Sequence, residues 1–469
     1  MNTFTLTFDH HSKQPLYQQL YAYLVAEIQS GRLQANEKLP GKKALAKHLC
    51  ISQSTIETAY EMLCAEGYLT ARPRSGFYVC QVERLPQLSQ PLPPPQPEPV
   101  KGPQPTYELP THAVDTSAFP YLTWAKIAKE TMYHHPELLR PGHRQGDENL
   151  RQSLAKYLHE FRGVHCRPEQ IIIGAGLEYL LDLVCQLLGE EAIFALENPG
   201  YQKTYHILAN NGRQLVFLPV DEGGLELQAL QDSPANVAYI TPSHQFPLGV
   251  IMPIGRRLQL LKWAGAAPGR YLIEDDYDSE FRYSGRPIPA LQGLDQQHKV
   301  IYTGTFSRSI APSIRVAYVV LPPDLLAVYQ TKFDFYSSTV SRMEQQILHR
   351  FLAEGHFTRH LNKVRNLYRQ RKEAFLQGLA ASSLAAISQV QGENAGLHFL
   401  LTVQNGQTEE ELIQRALAQD LGVSGLSAYY FVPPAQPRPA TLVLGFADLD
   451  QATIPIILQK MEQAWLPAR

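Results

Sequence analysis

The segment Tyr302–Tyr318 reads YTGTFSRSIAPSIRVAY, and a short apolar run overlaps each of its ends. Runs of this length that are rich in β-branched and aromatic residues are typical of buried strands. Six such runs alternate with longer amphipathic segments: Ile171–Ile173, Ala192–Leu196, Val237–Ile240, Tyr271–Ile273, Val300–Thr303 and Val316–Val320. This alternation predicts an α/β domain with a largely parallel sheet.

Arg308 lies in the polar middle of this segment and limits its chemistry. A guanidinium stays charged at any ordinary pH, and it presents hydrogen-bond donors without an acceptor or a free amine. It can therefore hold a carboxylate or a phosphate through two parallel hydrogen bonds, but it cannot attack an aldehyde carbon as a lysine amine does.

Length and composition indicate a globular protein with two or more domains. The chain has 469 residues, of which 44% are apolar and 18% charged, and its net charge of −2 gives no strong field toward nucleic acid or membrane. Its five cysteines lack metal-ligand spacing, and no apolar run is long enough to span a bilayer. Since the N-terminal residues also lack the apolar core of a signal peptide, we expect a cytoplasmic protein with no membrane partner.

A proline-rich segment divides the chain. Nine of the twenty residues from Pro86 to Pro105 are proline, a composition that favours extended polyproline conformations and cannot pack a core. We therefore predict an N-terminal domain over residues 1–80, a semi-rigid linker over residues 81–106 and a large domain over residues 107–469.

The N-terminal residues predict three helices followed by a two-stranded ribbon. Leucine or isoleucine recurs every four residues from Leu16 to Ile28, as in an amphipathic helix. Residues 41–49 predict a second helix, and Ser52 is placed to cap a third helix that runs through Glu66. Two short strands flank the turn-like residues 72–76, so this domain is expected to be a winged helix.

Several stretches of this domain resemble GntR-type winged helices: PLYQQL, GRL followed by LP, ALAKHL, ISQSTIETAYEMLCAEGYL and SGFYV, over about residues 13–80. A recognition helix places its first side chains on base edges while basic groups hold phosphates. The predicted base contacts are Gln53, Ser54 and Thr55, and the predicted phosphate contacts are Lys42, Lys43, Arg72 and Arg74.

The resemblance implies that the partner is double-stranded DNA, read by a homodimer at two half-sites because one small domain contacts few base pairs. Gln53 stands where the family often has arginine, which predicts an altered sequence preference or weaker affinity without loss of binding. The alternative for all of these side chains is an ordinary solvated helix face and turn.

From roughly Phe119 to the C-terminus, the motifs GAGLEYLL, ENPGY, TPSHQFPLG and IEDDYDSEF resemble the fold-type-I aminotransferase-like domain of MocR-type transcription regulators. In that family a lysine at the position of Arg308 forms a Schiff base with pyridoxal phosphate. The resemblance implies these contacts for such a cofactor: Asp275 to the pyridine nitrogen, Tyr277 to the ring oxygen, Tyr201 by stacking, and Ser307 and Arg315 to the phosphate.

Four positions depart from the family pattern, and we expect them in one pocket. Arg308 replaces the amine, Leu177 and Leu248 stand where hydroxyl side chains are common, and Val443 stands where an arginine often binds carboxylate. Lys203 lies near a second carboxylate-binding position of some relatives. We therefore expect no catalytic residue and, at most, non-covalent binding of pyridoxal phosphate.

The favoured interpretation is a transcription regulator whose large domain dimerises and senses a small effector, related to pyridoxal phosphate or to an amino acid, without a covalent bond. One alternative is a pyridoxal-phosphate-dependent aminotransferase fused to a DNA-binding module, which needs a proton-shuttling amine that Arg308 does not provide. The other is a ligand-free dimerisation scaffold, which suits Leu177 and Leu248 but leaves Asp275 and Tyr277 unexplained.

Overall fold

The structure is a computed structural model that describes residues 6–9, 12, 14–81, 105–283, 289–434 and 436–466. The chain divides into two compact units, Met1–Val100 and Lys101–Arg469. Most of the predicted linker, residues 82–104, lies outside the described residues, so its boundaries stay a prediction.

The first unit forms the predicted winged helix. Its described residues form α1 (Leu16–Ser30), α2 (Lys42–Leu49), α3 (Gln53–Ala65) and the antiparallel strands β1 (Leu69–Arg72) and β2 (Gly76–Val79). The Ser52 hydroxyl accepts a hydrogen bond of 3.1 Å from the Thr55 backbone N–H, which satisfies one of the free donors at the start of α3. One face of α3 is completely buried: Ile56, Ala59, Tyr60 and Leu63.

The second unit is larger and mixes helices with strands. Its first half contains β3 (Tyr107–Glu108), α4 (Tyr121–His134), α5 (Glu148–Arg162), β4 (Ile171–Gly174), α6 (Leu177–Leu188), β5 (Ile193–Asn198), α7 (Gln202–Asn210), β6 (Gln214–Asp221), β7 (Gly224–Leu225), α8 (Leu227–Asp232) and β8 (Val237–Ile240). Its second half contains α9 (Ile254–Gly265), β9 (Tyr271–Asp276), β10 (Val300–Thr305), β11 (Ala317–Val320), α10 (Pro323–Lys332), α11 (Arg342–Ala353), α12 (His356–Ala381), β12 (Ser388–Gln391), β13 (His398–Val403), α13 (Glu409–Ala418), β14 (Leu421–Gly422), β15 (Ser424–Gly425), β16 (Thr441–Gly445) and α14 (Ile454–Trp465).

An eight-stranded sheet in the order β4-β11-β10-β9-β8-β5-β6-β7 organises this unit. The neighbouring strands from β10 to β6 are all parallel, which confirms the prediction of a largely parallel sheet. All six predicted runs form strands of this sheet. β6 was not predicted, because it is largely half-exposed and contains Pro219, a residue that sequence patterns treat as a strand breaker.

The parallel strands place their carboxyl ends along one edge of the sheet. β11 runs antiparallel to both β10 and β4, so β4 ends at the same edge as β10 and β11 begins there. The segments that follow β4, β5, β8, β9 and β10 therefore meet, together with the segment before β11. Edges of this kind are where open α/β sheets bind ligands.

A smaller antiparallel sheet, in the order β12-β13-β16-β15, lies in the C-terminal part of the same unit. Its buried side chains join those of α12 and α14 in one core, with Phe399, Phe375 and Trp465 among the largest members. Within the described ranges, no helix has the length and apolar character that crossing a membrane requires.

Replacing Ser52 with Ala should remove the cap of α3 and lower its local stability by about 1 kcal/mol. Hydrogen–deuterium exchange of the α3 amides should then be about fivefold faster in the full-length chain. Ser52→Asp is the matched control, because an aspartate can accept the same hydrogen bond and should keep exchange near the wild-type rate. Equal exchange rates in the Ala variant and the wild type would contradict this role of Ser52.

Candidate functional site

One cavity at the carboxyl edge of the parallel strands contains all the side chains predicted to contact a cofactor: Tyr201, Asp275, Tyr277, Ser307, Arg308 and Arg315. Tyr201 follows β5, Asp275 lies at the end of β9, Ser307 and Arg308 follow β10, and Arg315 precedes β11. The sheet topology therefore brings together side chains that are far apart in the sequence. Leu177, Glu178, Lys203 and Thr241 are also part of the cavity wall.

Asp275 is a buried acid in the wall of this cavity. The side chain is buried, with 5% of the residue exposed, and its Oδ2 accepts a hydrogen bond from the Tyr239 hydroxyl. Its Oδ1 is buried without a hydrogen-bond partner among the described residues. Burial raises the pKa of Asp275 to about 7, against the opposing effect of the Tyr239 hydrogen bond. A buried acceptor without a partner costs free energy, so this oxygen is suited to a donor brought by a ligand.

Tyr277 is held by a network behind the cavity. Its hydroxyl donates to the His244 carbonyl at 3.0 Å and lies 3.0 Å from His244 Nδ1, which in turn lies 2.9 Å from Asp278 Oδ2. Burial raises the pKa of Tyr277 well above its usual value, so the hydroxyl stays neutral. This hydroxyl can still accept a hydrogen bond from a ligand.

Arg308 directs its charge into the protein. The residue is half-buried, and its guanidinium donates to the Thr111 carbonyl. Burial lowers the pKa of His398 to about 3, and the charge of Arg308 contributes to this shift, so the imidazole is neutral. Arg308 thus places a permanent positive charge in the wall of the cavity.

At the other end of the cavity, the predicted phosphate contact Arg315 is already paired. Its Nη2 lies 2.6 Å from Oε2 of Glu178, in the first turn of α6, and the Lys203 ammonium pairs with Oε1 of the same carboxylate. Burial alone raises the pKa of Glu178, but the hydrogen bonds from Lys203 and Arg315 outweigh it and hold the pKa at about 2. The carboxylate is therefore ionised throughout the physiological pH range. Ser307 Oγ lies 2.8 Å from Thr305 Oγ1.

The expectation that all four departures from the family pattern share one pocket is wrong. Leu177 and Arg308 are part of the cavity wall, whereas Leu248 and Val443 are not. Leu248 packs instead against a separate cluster formed by Val443, Leu400 and Leu426. Leu248 and Val443 therefore pack together as apolar side chains, and only Leu177 and Arg308 line the cavity.

Two important side chains were not predicted from the sequence. The sequence contained a signal for Glu178, because this acid follows Leu177, a departure from the family pattern, within the motif GAGLEYLL. Tyr239 gave no such signal, because it lies within the apolar run of β8 and only the pairing of β8 with β9 brings its hydroxyl to Asp275.

The predicted DNA contacts differ in how far they are available to a partner. Gln53 and Ser54 at the start of α3 are exposed, as are Lys43 on α2 and Arg74 in the turn of the wing. Arg74 has a left-handed backbone conformation, with φ of 61°, at the tip of the ribbon. These four residues are polar or basic and exposed, and the Ser54 hydroxyl also lies 2.8 Å from Ser52 Oγ. Their role as DNA contacts stays a prediction.

The other three predicted DNA contacts interact within the first unit. Lys42 pairs with Glu57, and its ammonium lies 5.5 Å from the centroid of the Phe77 ring. The Thr55 hydroxyl lies 2.7 Å from Ser52 Oγ, and the Arg72 guanidinium lies 4.2 Å from the centroid of the Tyr78 ring. These side chains also shape the local fold, so their substitution changes more than a contact with DNA.

Two family models match this chain. Residues 16–79 match the bacterial regulatory proteins of the gntR family, and residues 113–461 match the aminotransferases of class I and II. The two matches correspond to the winged helix and to the unit that contains the cavity.

Curated proteins and solved structures extend this similarity to nearly the whole chain. The HTH-type transcriptional regulator YdeL of Bacillus subtilis (strain 168) is 41% identical over 460 residues, which covers 96% of this chain and 97% of that protein. The probable rhizopine catabolism regulatory protein MocR of Rhizobium meliloti is 33% identical over 484 residues, covering 98% and 96%. The crystal structure of LysN, an alpha-aminoadipate aminotransferase from Thermus thermophilus complexed with N-(5'-phosphopyridoxyl)-L-leucine, matches with a TM-score of 0.65 and 25% identity, covering 76% of this chain and 91% of LysN.

The raised pKa of Asp275 predicts a pH-dependent contribution to stability. The pKa of Asp275 is about 7 in the folded state against an ordinary 3.8, so between these two pH values the folded protein binds a proton that the unfolded chain releases. The stability that this proton gives the folded state is therefore lost as the pH rises from about 4 to about 7. The difference in melting temperature, Asp275→Asn minus wild type, should therefore increase from about pH 5 to about pH 8. Asp334→Asn, at an exposed position, is the matched control. A difference that stays constant over this range would contradict the assignment.

Proposed function

Because the chain belongs to the MocR-type transcription regulators, we propose that its aminotransferase-like domain binds a small ligand without a covalent bond and thereby controls how a homodimer binds DNA. The observation that carries the proposal is the buried Asp275 in the wall of a cavity that Arg308 also lines, because its Oδ1 makes no hydrogen bond within the described part of the chain. A ligand that satisfies this oxygen relieves a cost that the ligand-free protein carries. A domain that serves only for dimerisation would gain nothing from a buried carboxylate oxygen without a hydrogen bond.

The cavity suits only one part of pyridoxal phosphate. Asp275 is placed for a protonated ring nitrogen, and the half-exposed ring of Tyr201 offers a face to a planar group. Arg308 has no amine for the aldehyde, and Glu178 already pairs with the cations at the phosphate end. These residues support reversible binding of a ligand, and we propose no aminotransferase activity for this chain.

Arg308 is proposed to orient the ligand. Its guanidinium has five donors, of which the Thr111 carbonyl is the partner recorded within the described part of the chain. Donors that remain can hold a carboxylate in a bidentate pair. Such a ligand controls DNA binding only if it binds one arrangement of the protein more tightly than another.

A homodimer is proposed because one winged helix reads few base pairs and because α4 exposes apolar side chains. On α4 and just after it, these are Tyr121, Leu122, Met132, Tyr133 and Leu139. Leu122 and Leu139 are 89% and 83% exposed. Grouped apolar exposure of this kind is typical of surfaces that bury against another protein.

Two exposed basic side chains should contribute to DNA affinity through phosphate contacts. Replacing both Lys43 and Arg74 with Ala removes four phosphate contacts from the proposed homodimer, so it should weaken binding to duplex DNA at least roughly tenfold and reduce the slope of log affinity against log salt by about four. Fluorescence anisotropy over a salt series measures both quantities. Lys156→Ala with Arg415→Ala, which removes the same charge from exposed positions of the second unit, should leave both quantities unchanged.

The position of Arg308 can be tested by restoring an amine. Wild-type protein treated with pyridoxal and borohydride should carry no pyridoxyl mass on any residue of the cavity, whereas Arg308→Lys should gain it at residue 308. Peptide mass mapping locates the adduct, and transamination with amino-acid donors should remain undetectable in the wild type. An adduct on a cavity amine of the wild type, Lys203 included, or measurable transamination would contradict the proposal.

A further inference from the structure

We infer that Glu178 is a built-in counter-ion that occupies the phosphate end of the cavity, so that this cavity selects a phosphate-free ligand with a protonated nitrogen. The inference rests on the proposed ligand-binding function and adds the chemical class of the ligand. Glu178 determines specificity in this proposal, and Asp275 supplies the contact that the ligand makes.

One carboxylate engages both cations at that end of the cavity. Oε2 of Glu178 lies 2.6 Å from Arg315 Nη2, and Oε1 pairs with the Lys203 ammonium. These two cations, together with the backbone N–H groups at the start of α6, are the groups that a phosphate ester would otherwise engage. The resident carboxylate therefore takes the place of the ligand's anion.

The charge at this end decides the selectivity. The side chains of Glu178, Lys203 and Arg315 are 31%, 51% and 47% exposed, so each ion pair alone contributes little. A phosphate monoester, however, would bring nearly two negative charges beside a carboxylate that stays ionised. The phosphate and the Glu178 carboxylate would repel each other, and the two cations Lys203 and Arg315 would have to balance about three negative charges.

The guanidinium of Arg315 also lies close to the backbone at the start of α6. A Cβ placed on Gly176, the residue before α6, would lie 2.0 Å from Arg315 Nη2. The guanidinium thus packs directly against the backbone at the start of α6, beside Glu178. Because Glu178 belongs to the first turn of the same helix, its charge also interacts favourably with the helix dipole.

At the opposite end, the cavity retains its contact for a cation. Asp275 lines the cavity and is 5% exposed, and its Oδ1 has no hydrogen-bond partner in the described part of the chain. A protonated pyridine or a primary ammonium supplies both the donor and the charge that this oxygen lacks. The ligand therefore needs a cationic nitrogen and gains nothing from a phosphate.

Isothermal titration of the full-length chain tests this inference with three probes: pyridoxamine, pyridoxamine 5'-phosphate and inorganic phosphate. Wild type should bind pyridoxamine at least tenfold more tightly than its phosphate ester. Glu178→Gln releases Arg315 and Lys203, and it should bind the phosphate ester and inorganic phosphate at least tenfold more tightly than wild type does. Glu354→Gln is the matched control, because Glu354 forms a comparable pair with Arg350 at 2.6 Å outside the cavity and should behave as wild type.

Each outcome distinguishes this inference from the proposed function. If wild type binds the phosphate ester as tightly as pyridoxamine, the role of Glu178 is wrong while ligand binding stands. If wild type binds none of the probes but Glu178→Gln binds inorganic phosphate, the counter-ion role stands and the proposed ligand class fails. If Glu178→Gln gains no affinity for phosphate while circular dichroism shows it folded, the inference is overturned. Should that variant not fold, the wild-type comparison of pyridoxamine with its phosphate ester still decides.

Discussion

The parallel pairing of β9 with β10 is the constraint on which the site depends. Its register places Thr303 opposite Asp275 and Gly304 opposite Asp276, so both strands end together and the segments after them enter the same space. Without this register, Arg308 and Asp275 would be two unrelated charged residues. With it, the permanently charged Arg308 and the buried Asp275 line the same cavity, so the role of each depends on the charge of the other.

The charges of the cavity form a consistent pattern once their partners are known. A covalent cofactor site needs an amine that can lose its proton and a cationic end that stays open for a phosphate. In this chain Arg308 offers a guanidinium and no amine, and the two cations Lys203 and Arg315 are paired with Glu178. Asp275, by contrast, has an oxygen without a hydrogen-bond partner among the described residues and is buried enough to have its pKa raised to about 7. These features are the basis for proposing a non-covalent, phosphate-free ligand with a protonated nitrogen.

Local patterns predicted the fold well because the apolar runs and the Ser52 cap each depend on neighbouring residues only. Asp275, Tyr201 and Arg308 were singled out by the resemblance of their motifs to the MocR-type family and not by these patterns. Local patterns could not show that Glu178 would pair with Arg315 or that Leu248 and Val443 would pack together, because those contacts join segments well over a hundred residues apart. Partners across a fold are set by topology and side-chain direction, which no local pattern contains.

Replacing a covalent anchor by a non-covalent contact changes what a sensor can report. A cofactor bound through a Schiff base dissociates slowly, so its occupancy depends on earlier cofactor concentrations as well as on the present one. In the proposed function, a ligand held by Asp275 and Arg308 would exchange freely, and its occupancy would follow its concentration relative to the dissociation constant. Only the fraction of the protein in the binding-competent arrangement binds the ligand, and this lowers the observed affinity. In the proposed function, the equilibrium between arrangements would therefore set both DNA binding and the ligand concentration at which the protein responds. A permanent cation such as Arg308 keeps its own charge in that response independent of pH.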